Sequence, residues 1–244
     1  MLDETQIDLY RRNGFLVIDR LVEEETVQLR RDAYDDVLET APVAETMLGG
    51  ITRQVMMPSM RHPVFADNPA LVAARALAAP LLDEPTFSFD MLIDKPPGHP
   101  HTTPWHQDMS YAATPFAPPG ATIMHETIQF WLALDDADID NGCMHFLAGY
   151  HTQPLLEHYV ASGQPQDSSR LLAIVDPDRQ LDLEAVIPGP IAAGGVTMHS
   201  YGTPHFTPVN RTNDRPRRAY IFNFSTRERA ERVVADAERM LASS

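Results

Sequence analysis

The sequence predicts a mainly β fold, a sandwich or barrel, with helices packed on one side. Three observations lead there. Amphipathic segments of helical period fill most of the first 84 residues. From residue 85 onward, short runs of β-forming residues alternate with Pro/Gly turns. The 21 prolines divide the chain into pieces too short for a long-helix bundle. A length of 244 residues suits one domain of this kind. Its expected parts are a helical flank over 1–84, a strand-rich core over 85–225 and a closing helix over 226–242.

Asp3 to Arg12 is amphipathic and Gly14 supplies a stop, so the first helix is expected there. "FLVI" (15–18) reads as a short strand. "VEEETVQLRRDAYDDVLETA" reads as a second helix, with acids early as the helix dipole prefers. "NPALVAARALAAPLL" (68–82) reads as a third, with Asn68 as N-cap and Pro69 at the first helical position. "TFSFDMLID", "ETIQFWLAL", "CMHFL", "LEAVI", "GGVTMHS" and "RRAYIFNF" are the expected strands. Residues 150–180 are polar and irregular and are expected to form a lid that governs substrate choice. Ser225 and Glu228 have the spacing of a capping box opening the last helix.

Composition narrows the function classes. The formal net charge of −15 argues against nucleic-acid binding through a broad basic surface. It also sets an unfavourable field for a polyanionic substrate such as a CoA thioester, which favours a small or medium-sized neutral molecule. Cys143 is the only cysteine, so neither an internal disulfide nor a Cys-rich zinc site is available; it is expected to be buried and inert. No apolar run is long enough to span a bilayer. "MLDETQIDLYRR" is amphipathic and acidic, so no secretory leader is expected and the expected location is cytoplasmic.

"WHQDMSY" (105–111) places His106 and Asp108 two apart, which on a strand puts an imidazole and a carboxylate on one face. His205 follows a later strand. Two His and one carboxylate occupy one face of an octahedral ion and leave positions open, the pattern of non-heme Fe(II) oxygenases. A 2-oxoacid chelates such an ion through its keto oxygen and one carboxylate, and O₂ takes the last position. The far carboxylate then needs a cation, and "RRAYIFNF" opens with two arginines on an apolar strand. Along that strand Arg217, Ala219, Ile221 and Asn223 share one face, while Arg218, Tyr220, Phe222 and Phe224 share the other. The first face is the smaller and leaves room for a ligand. Arg217 is therefore the expected anchor, with Arg218 reaching toward water.

Four segments, taken in order, resemble the phytanoyl-CoA dioxygenase-like (PhyH) branch of the Fe(II)/2-oxoglutarate-dependent oxygenases. "GFLVIDRLVEEETVQLRR" resembles the N-terminal strand and helix of that family. "MLIDKPPGHPHTTPWHQDMSY" resembles its approach to the HxD motif. "FWLALDDADIDNGCMHFLAGYH" resembles the strand–turn–strand that ends in a PGSH-like turn. "GGVTMHSYGTPHFTPVNRTNDRPRRA" resembles the segment with the distal His, an Asn five residues later, and the Arg. The resemblance implies a double-stranded β-helix (jelly roll, cupin-like). It implies His106, Asp108 and His205 as iron ligands, with Arg217 and Thr207 on the 2-oxoglutarate carboxylate. Arg53, Met91 and Trp131 match further co-substrate positions. The Gly-Asp turn of the family is Gly194-Gly195 here, and the PGSH-like turn is Ala148-Gly149-Tyr150-His151.

The implied function is an Fe(II)-, 2-oxoglutarate- and O₂-dependent oxygenase. It would oxidise an unactivated C–H bond of a small or medium organic molecule by hydroxylation or oxidative cyclisation, with natural-product biosynthesis as one setting. Alternatives are a cupin-type isomerase or hydrolase using Zn²⁺ or Mn²⁺, and a jelly-roll binding protein without turnover. His199 rivals His205 but lacks Asn210 and Arg217 at matching offsets, so it is expected to be a pocket-edge or strand-end residue. His99, His101, His125, His145, His151 and His158 read as loop or surface histidines. The acidic turn at Asp135, Asp136, Asp138 and Asp140 reads as solvated, since it lacks the Gly and terminal Glu of an EF-hand.

Overall fold

The computed structural model describes residues 1–40, 47–48, 52–112, 117–161 and 171–242. Helix α1 (Glu4–Asn13) opens on a capping box. The Gln6 N–H donates to Asp3 (2.8 Å) and the Asp3 N–H donates to the Gln6 side chain (3.1 Å). It ends at Gly14, whose φ of 84° turns the chain directly into strand β1 (Phe15–Ile18). Gly14 is also wedged. A Cβ there would lie 2.5 Å from both His151 Nδ1 and Thr203 Oγ1. Gly14→Ala is expected to lower stability by about 2–4 kcal/mol, from left-handed strain plus overpacking. The readout is the urea midpoint, and a change below ~0.5 kcal/mol would show that this junction yields freely.

Helices α2 (Glu24–Thr40), α3 (Pro63–Ala66) and α4 (Pro69–Ala78) follow. Asn68 caps α4, accepting the Ala70 N–H at 2.9 Å, with Pro69 in the first turn. The chain closes with α6 (Arg227–Ala242), after the single-turn α5 (Pro177–Gln180).

Two antiparallel sheets face each other. The larger has seven strands in the order β1, β11 (Val196–Ser200), β6 (Thr127–Ala133), β13 (Arg217–Ser225), β4 (Thr86–Lys95), β3 (Thr52–Met56), β2 (Met47–Leu48). The smaller has four, in the order β10 (Ile187–Gly189), β7 (Met144–Phe146), β12 (His205–Thr207), β5 (Thr103–His106). Strands β8 (His158–Val160) and β9 (Leu172–Ile174) form a separate hairpin. This is the jelly roll that the resemblance implies.

Alternation divides the large sheet into two chemical faces. Tyr220, Phe222, Phe224, Phe130, Leu132 and Leu92 pack outward against Val27, Tyr34, Ala74 and Ala78 of the helices. Each large side chain so buried contributes roughly 1.5–3 kcal/mol. Ala219, Ile221, Trp131 and Ile93 face inward, where Phe15 and Phe146 stack at 4.5 Å between the sheets.

Several local expectations are corrected. The flank over 1–84 carries strands as well as helices: β3 and β2 extend the large sheet from its β4 edge. "LEAVI" splits into a 3-10 turn (Leu183–Ala185) and the start of β10. Ser225 does not cap α6. It ends β13, and its hydroxyl is 2.9 Å from those of Ser88 and Thr127. The acidic turn is solvated at Asp136 and Asp140, as read, but it also anchors neighbours: Asp135 takes Arg218 and Arg31, Asp138 takes Arg215, and Asp136 accepts the Ala193 N–H. His151 and His158 are buried, bonded to Arg11 O and to the Gln107 N–H, respectively. Of the expected lid, residues 162–170 lie outside the described residues, and the rest includes the β8–β9 hairpin. Among the described residues no helix is long and apolar enough to cross a membrane.

Candidate metal and anion site

His106 ends β5 and His205 opens β12, and the two are direct partners across the small sheet. A bulge in β5 then sets Thr103 opposite Thr207. Asp108 is not on the strand. The chain turns at Gln107, and Asp108 starts a 3-10 turn (Asp108–Ala112). The turn is fixed from both sides of Gln107. Its side chain donates to Gly202 O (2.7 Å) and accepts from Leu156 N (3.0 Å), and its carbonyl accepts from Ser110 Oγ. The His-x-Asp pair therefore converges through a turn rather than through strand alternation.

The three side chains are buried, and their ligand atoms lie within 4.8 Å of one another. His106 Nδ1 sits 2.8 Å from Pro104 O, and His205 Nδ1 sits 2.9 Å from Thr203 O. A ring nitrogen against a carbonyl carries the proton, so each Nε2 keeps its lone pair. Both Nε2 atoms face Asp108 Oδ1, at 3.7 and 3.8 Å. The other carboxylate oxygen is occupied: Gln129 Nε2 donates to Oδ2 at 2.9 Å, and His199 Nε2 lies 3.1 Å from it. Burial lowers the pKa of both His106 and His205, which keeps them neutral. Burial alone would push the Asp108 carboxyl up. His205, then the His199 hydrogen bond, reverse this and hold it well below the usual carboxylate range. Neutral imidazoles and an ionised carboxylate are the metal-binding forms.

His199 stands near the end of β11, as a strand-end residue would, but it is fully buried and bonded to Asp108 rather than standing at a pocket edge. It orients the carboxylate. His199→Ala is expected to retain Fe(II) with affinity reduced about 10–100-fold, the usual cost of removing an orienting partner. Total loss of iron in His199→Ala, with iron kept in His205→Ala, would exchange their roles.

The second half of the site is Arg217. It faces inward as its strand position predicts and is fully buried. Its guanidinium lies 5.3 Å from the Trp131 ring centroid. Nε, Nη1 and Nη2 all lack a hydrogen-bond partner among the described residues, as do the nearby Thr207 Oγ1, Thr103 Oγ1 and His99 Nε2. Burial pushes Arg217 down to about 10, so it stays charged at neutral pH. A buried cation without a partner is costly, and an anion of matching shape relieves it. Met91 and Trp131 flank Ile221 on the inner face, in register across β4, β13 and β6.

Arg53 corrects an expectation. It pairs in register with Asp94, 3.4 Å away, on the outer face of the sheet with Val55 and Leu92, so the sheet separates it from Arg217. Arg218 is also on that outer face. It is not released to water but held by Asp135, with two 2.9 Å side-chain bonds, over the Tyr34 ring. The sequence reading missed Gln129 and the attachment of His199 to Asp108. Both Gln129 and His199 are polar residues set in fully buried strands, and that is the available signal.

A family profile described as Phytanoyl-CoA dioxygenase (PhyH) matches residues 10–219. The peroxisomal phytanoyl-CoA dioxygenase of Rattus norvegicus is 30% identical over 176 residues, 65% of this chain and 50% of its own length. The chain therefore spans about half the length of the curated relatives it matches. Among solved structures, EvdO2 from Micromonospora carbonacea var. aurantiaca complexed with 2-oxoglutarate superposes with a TM-score of 0.77. It is 30% identical, over 93% of this chain and 91% of that one. The non-heme alpha ketoglutarate dependent carbocyclase SnoK from nogalamycin biosynthesis shares the fold, with a TM-score of 0.68 at 22% identity over 92% and 84% of the two chains.

Proposed function

The chain belongs to the phytanoyl-CoA dioxygenase (PhyH) family, and from that premise we propose that it is an Fe(II)- and 2-oxoglutarate-dependent oxygenase. Its reaction is oxidation of an unactivated C–H bond in a small or medium-sized organic molecule. The observation that carries this is the buried, unpartnered guanidinium of Arg217 behind the His106–Asp108–His205 cluster. A metal hydrolase or isomerase acting on a neutral substrate has no use for such a group. A 2-oxoacid chelating the metal needs a cation at its far end. The EvdO2 complex with 2-oxoglutarate supports the same co-substrate.

His106, Asp108 and His205 would hold the iron. With 2-oxoglutarate and O₂, iron held there would supply the oxidant for C–H cleavage, at the expense of the co-substrate, which would be converted to succinate and CO₂. Asp108 presents Oδ1 while Gln129 and His199 fix Oδ2. Arg217, with Thr207, takes the distal carboxylate, while Met91 and Trp131 pack along the carbon chain. Phe146 and Ile93 line the inner core and exclude water.

The reading takes residues 1–244 as one oxygenase domain, in the cytoplasm, acting on a substrate less anionic than a CoA thioester, as the net charge of −15 favours. The β8–β9 hairpin and its surroundings would select the substrate. Anaerobic protein given Fe(II) and then 2-oxoglutarate is expected to develop a weak visible metal-to-ligand charge-transfer band. Stoichiometric iron binding without that band at saturating 2-oxoglutarate would defeat the oxygenase reading in favour of a Zn²⁺ or Mn²⁺ enzyme on the same residues.

A further inference from the structure

Lys95 ends β4 directly opposite Arg217 in the β4–β13 register and is fully buried. Its Nζ donates to three backbone carbonyls: His101 (3.1 Å), Thr207 (3.0 Å) and Pro208 (2.6 Å). The three acceptors match the three N–H groups of the ammonium form, whereas the neutral amine has two and leaves one carbonyl unmet. His101 lies in the loop leading into β5, and Thr207 ends β12. The one nitrogen therefore joins the approaches to both ligand-bearing strands.

No carboxylate pairs with Lys95 among the described residues, since its neighbour Asp94 points to the outer face toward Arg53. The groups facing it are Arg217 from β13, His99 and His101 from the following loop, and the Thr207–Pro208 backbone from β12. Gly142 approaches its stem from the acidic turn, beside Cys143, whose thiol burial pushes up to about 11 and so keeps neutral. Burial, then Arg217, push Lys95 down to about 6. Burial, then Lys95, push His99 down to about 4. Two basic side chains, Lys95 and Arg217, thus stand together with no carboxylate paired to Lys95 among the described residues.

Building on the 2-oxoglutarate reading, we propose that Lys95 is a positioning residue of the co-substrate pocket. Its amino group clamps the β5 and β12 approaches and, once protonated, supplies beside Arg217 the second positive charge for a dicarboxylate. Loading the co-substrate is therefore coupled to uptake of a proton by Lys95. An anion nearby favours the charged form. A group whose pKa rises on binding takes up a proton between its free and bound values. Affinity is then highest at low pH and falls by up to about tenfold per pH unit across that window.

The test is anaerobic titration of the Fe(II)-loaded full chain with 2-oxoglutarate from pH 6 to 8.5. Calorimetry in two buffers of different ionisation enthalpy counts the protons. Wild-type protein is expected to take up a proton, and its Kd to rise with pH. Lys95→Met, which keeps the apolar stem, is expected to bind iron, to bind 2-oxoglutarate about 10–100-fold more weakly, and to show neither proton uptake nor a pH slope. Wild-type binding with no proton uptake overturns the inference even if the variant fails to fold. So does a Lys95→Met protein with wild-type uptake, which would assign the proton to His99. Wild-type protein that binds no 2-oxoglutarate at any pH overturns the oxygenase reading as well, so the two failures are distinct.

Discussion

Asp108→Ala is expected to yield a folded protein that binds no Fe(II) and consumes no 2-oxoglutarate. His106→Ala and His205→Ala should behave alike. Asp108 is the one anionic group of the cluster, and Oδ1 is the point on which both Nε2 atoms converge. Without it, two neutral imidazoles remain, too few to retain Fe(II) against water. The fold should persist because the outer aromatic core and the helices do not involve the site. Removing the carboxylate strands the Gln129 and His199 donors, which costs about 1–3 kcal/mol. Loss of a desolvated charge offsets part of that. Metal content after gel filtration, with far-UV circular dichroism, checks the result. A folded Asp108→Ala that keeps stoichiometric iron and turnover would move the metal centre elsewhere.

Arg217→Ala is expected to weaken 2-oxoglutarate binding by roughly tenfold to a hundredfold, the worth of a charge-assisted bidentate pair of ~1.5–3 kcal/mol. Arg217→Lys should recover only part of this, since an ammonium offers a point charge and not a planar fork. Without co-substrate the sign reverses. Arg217→Met removes a buried cation that lacks partners, so the free protein should melt no lower than wild type and lose the rise in Tm that 2-oxoglutarate gives. Arg218→Ala should do the opposite: lower Tm through loss of Asp135 and leave affinity intact. A larger loss of affinity in Arg218→Ala than in Arg217→Ala would contradict the inward orientation of Arg217.

Strand parity in "RRAYIFNF" was enough to separate Arg217 from Arg218, because an apolar strand of nine residues has unambiguous faces. The same logic was unavailable for Arg53. β3 is a short strand between β4 and the two-residue β2, its register is set by its pairing with β4, and sequence does not display that pairing. His106 and Asp108 were correctly grouped for an incomplete reason. Alternation would bring them together, but the structure does so with a turn pinned by the buried Gln107 side chain. The partners of Asp108 were illegible for a related cause. His199 and Gln129 reach it from β11 and β6, and such neighbours exist only once the large sheet has formed. The acidic turn read as solvated because its arginine partners, Arg31, Arg215 and Arg218, lie far away in sequence.

The hydrogen bond from His199 to Asp108 spans 91 residues of chain. Closing loops of that length is slow relative to local structure, so contacts of this kind form late in folding. The helical flank can nucleate early, but no early intermediate can assemble the oriented carboxylate. A metal taken up by the cluster would then bind the assembled sheets rather than guide their folding, and a chain that stops short of His199 would lack both His205 and the orienting partner of Asp108.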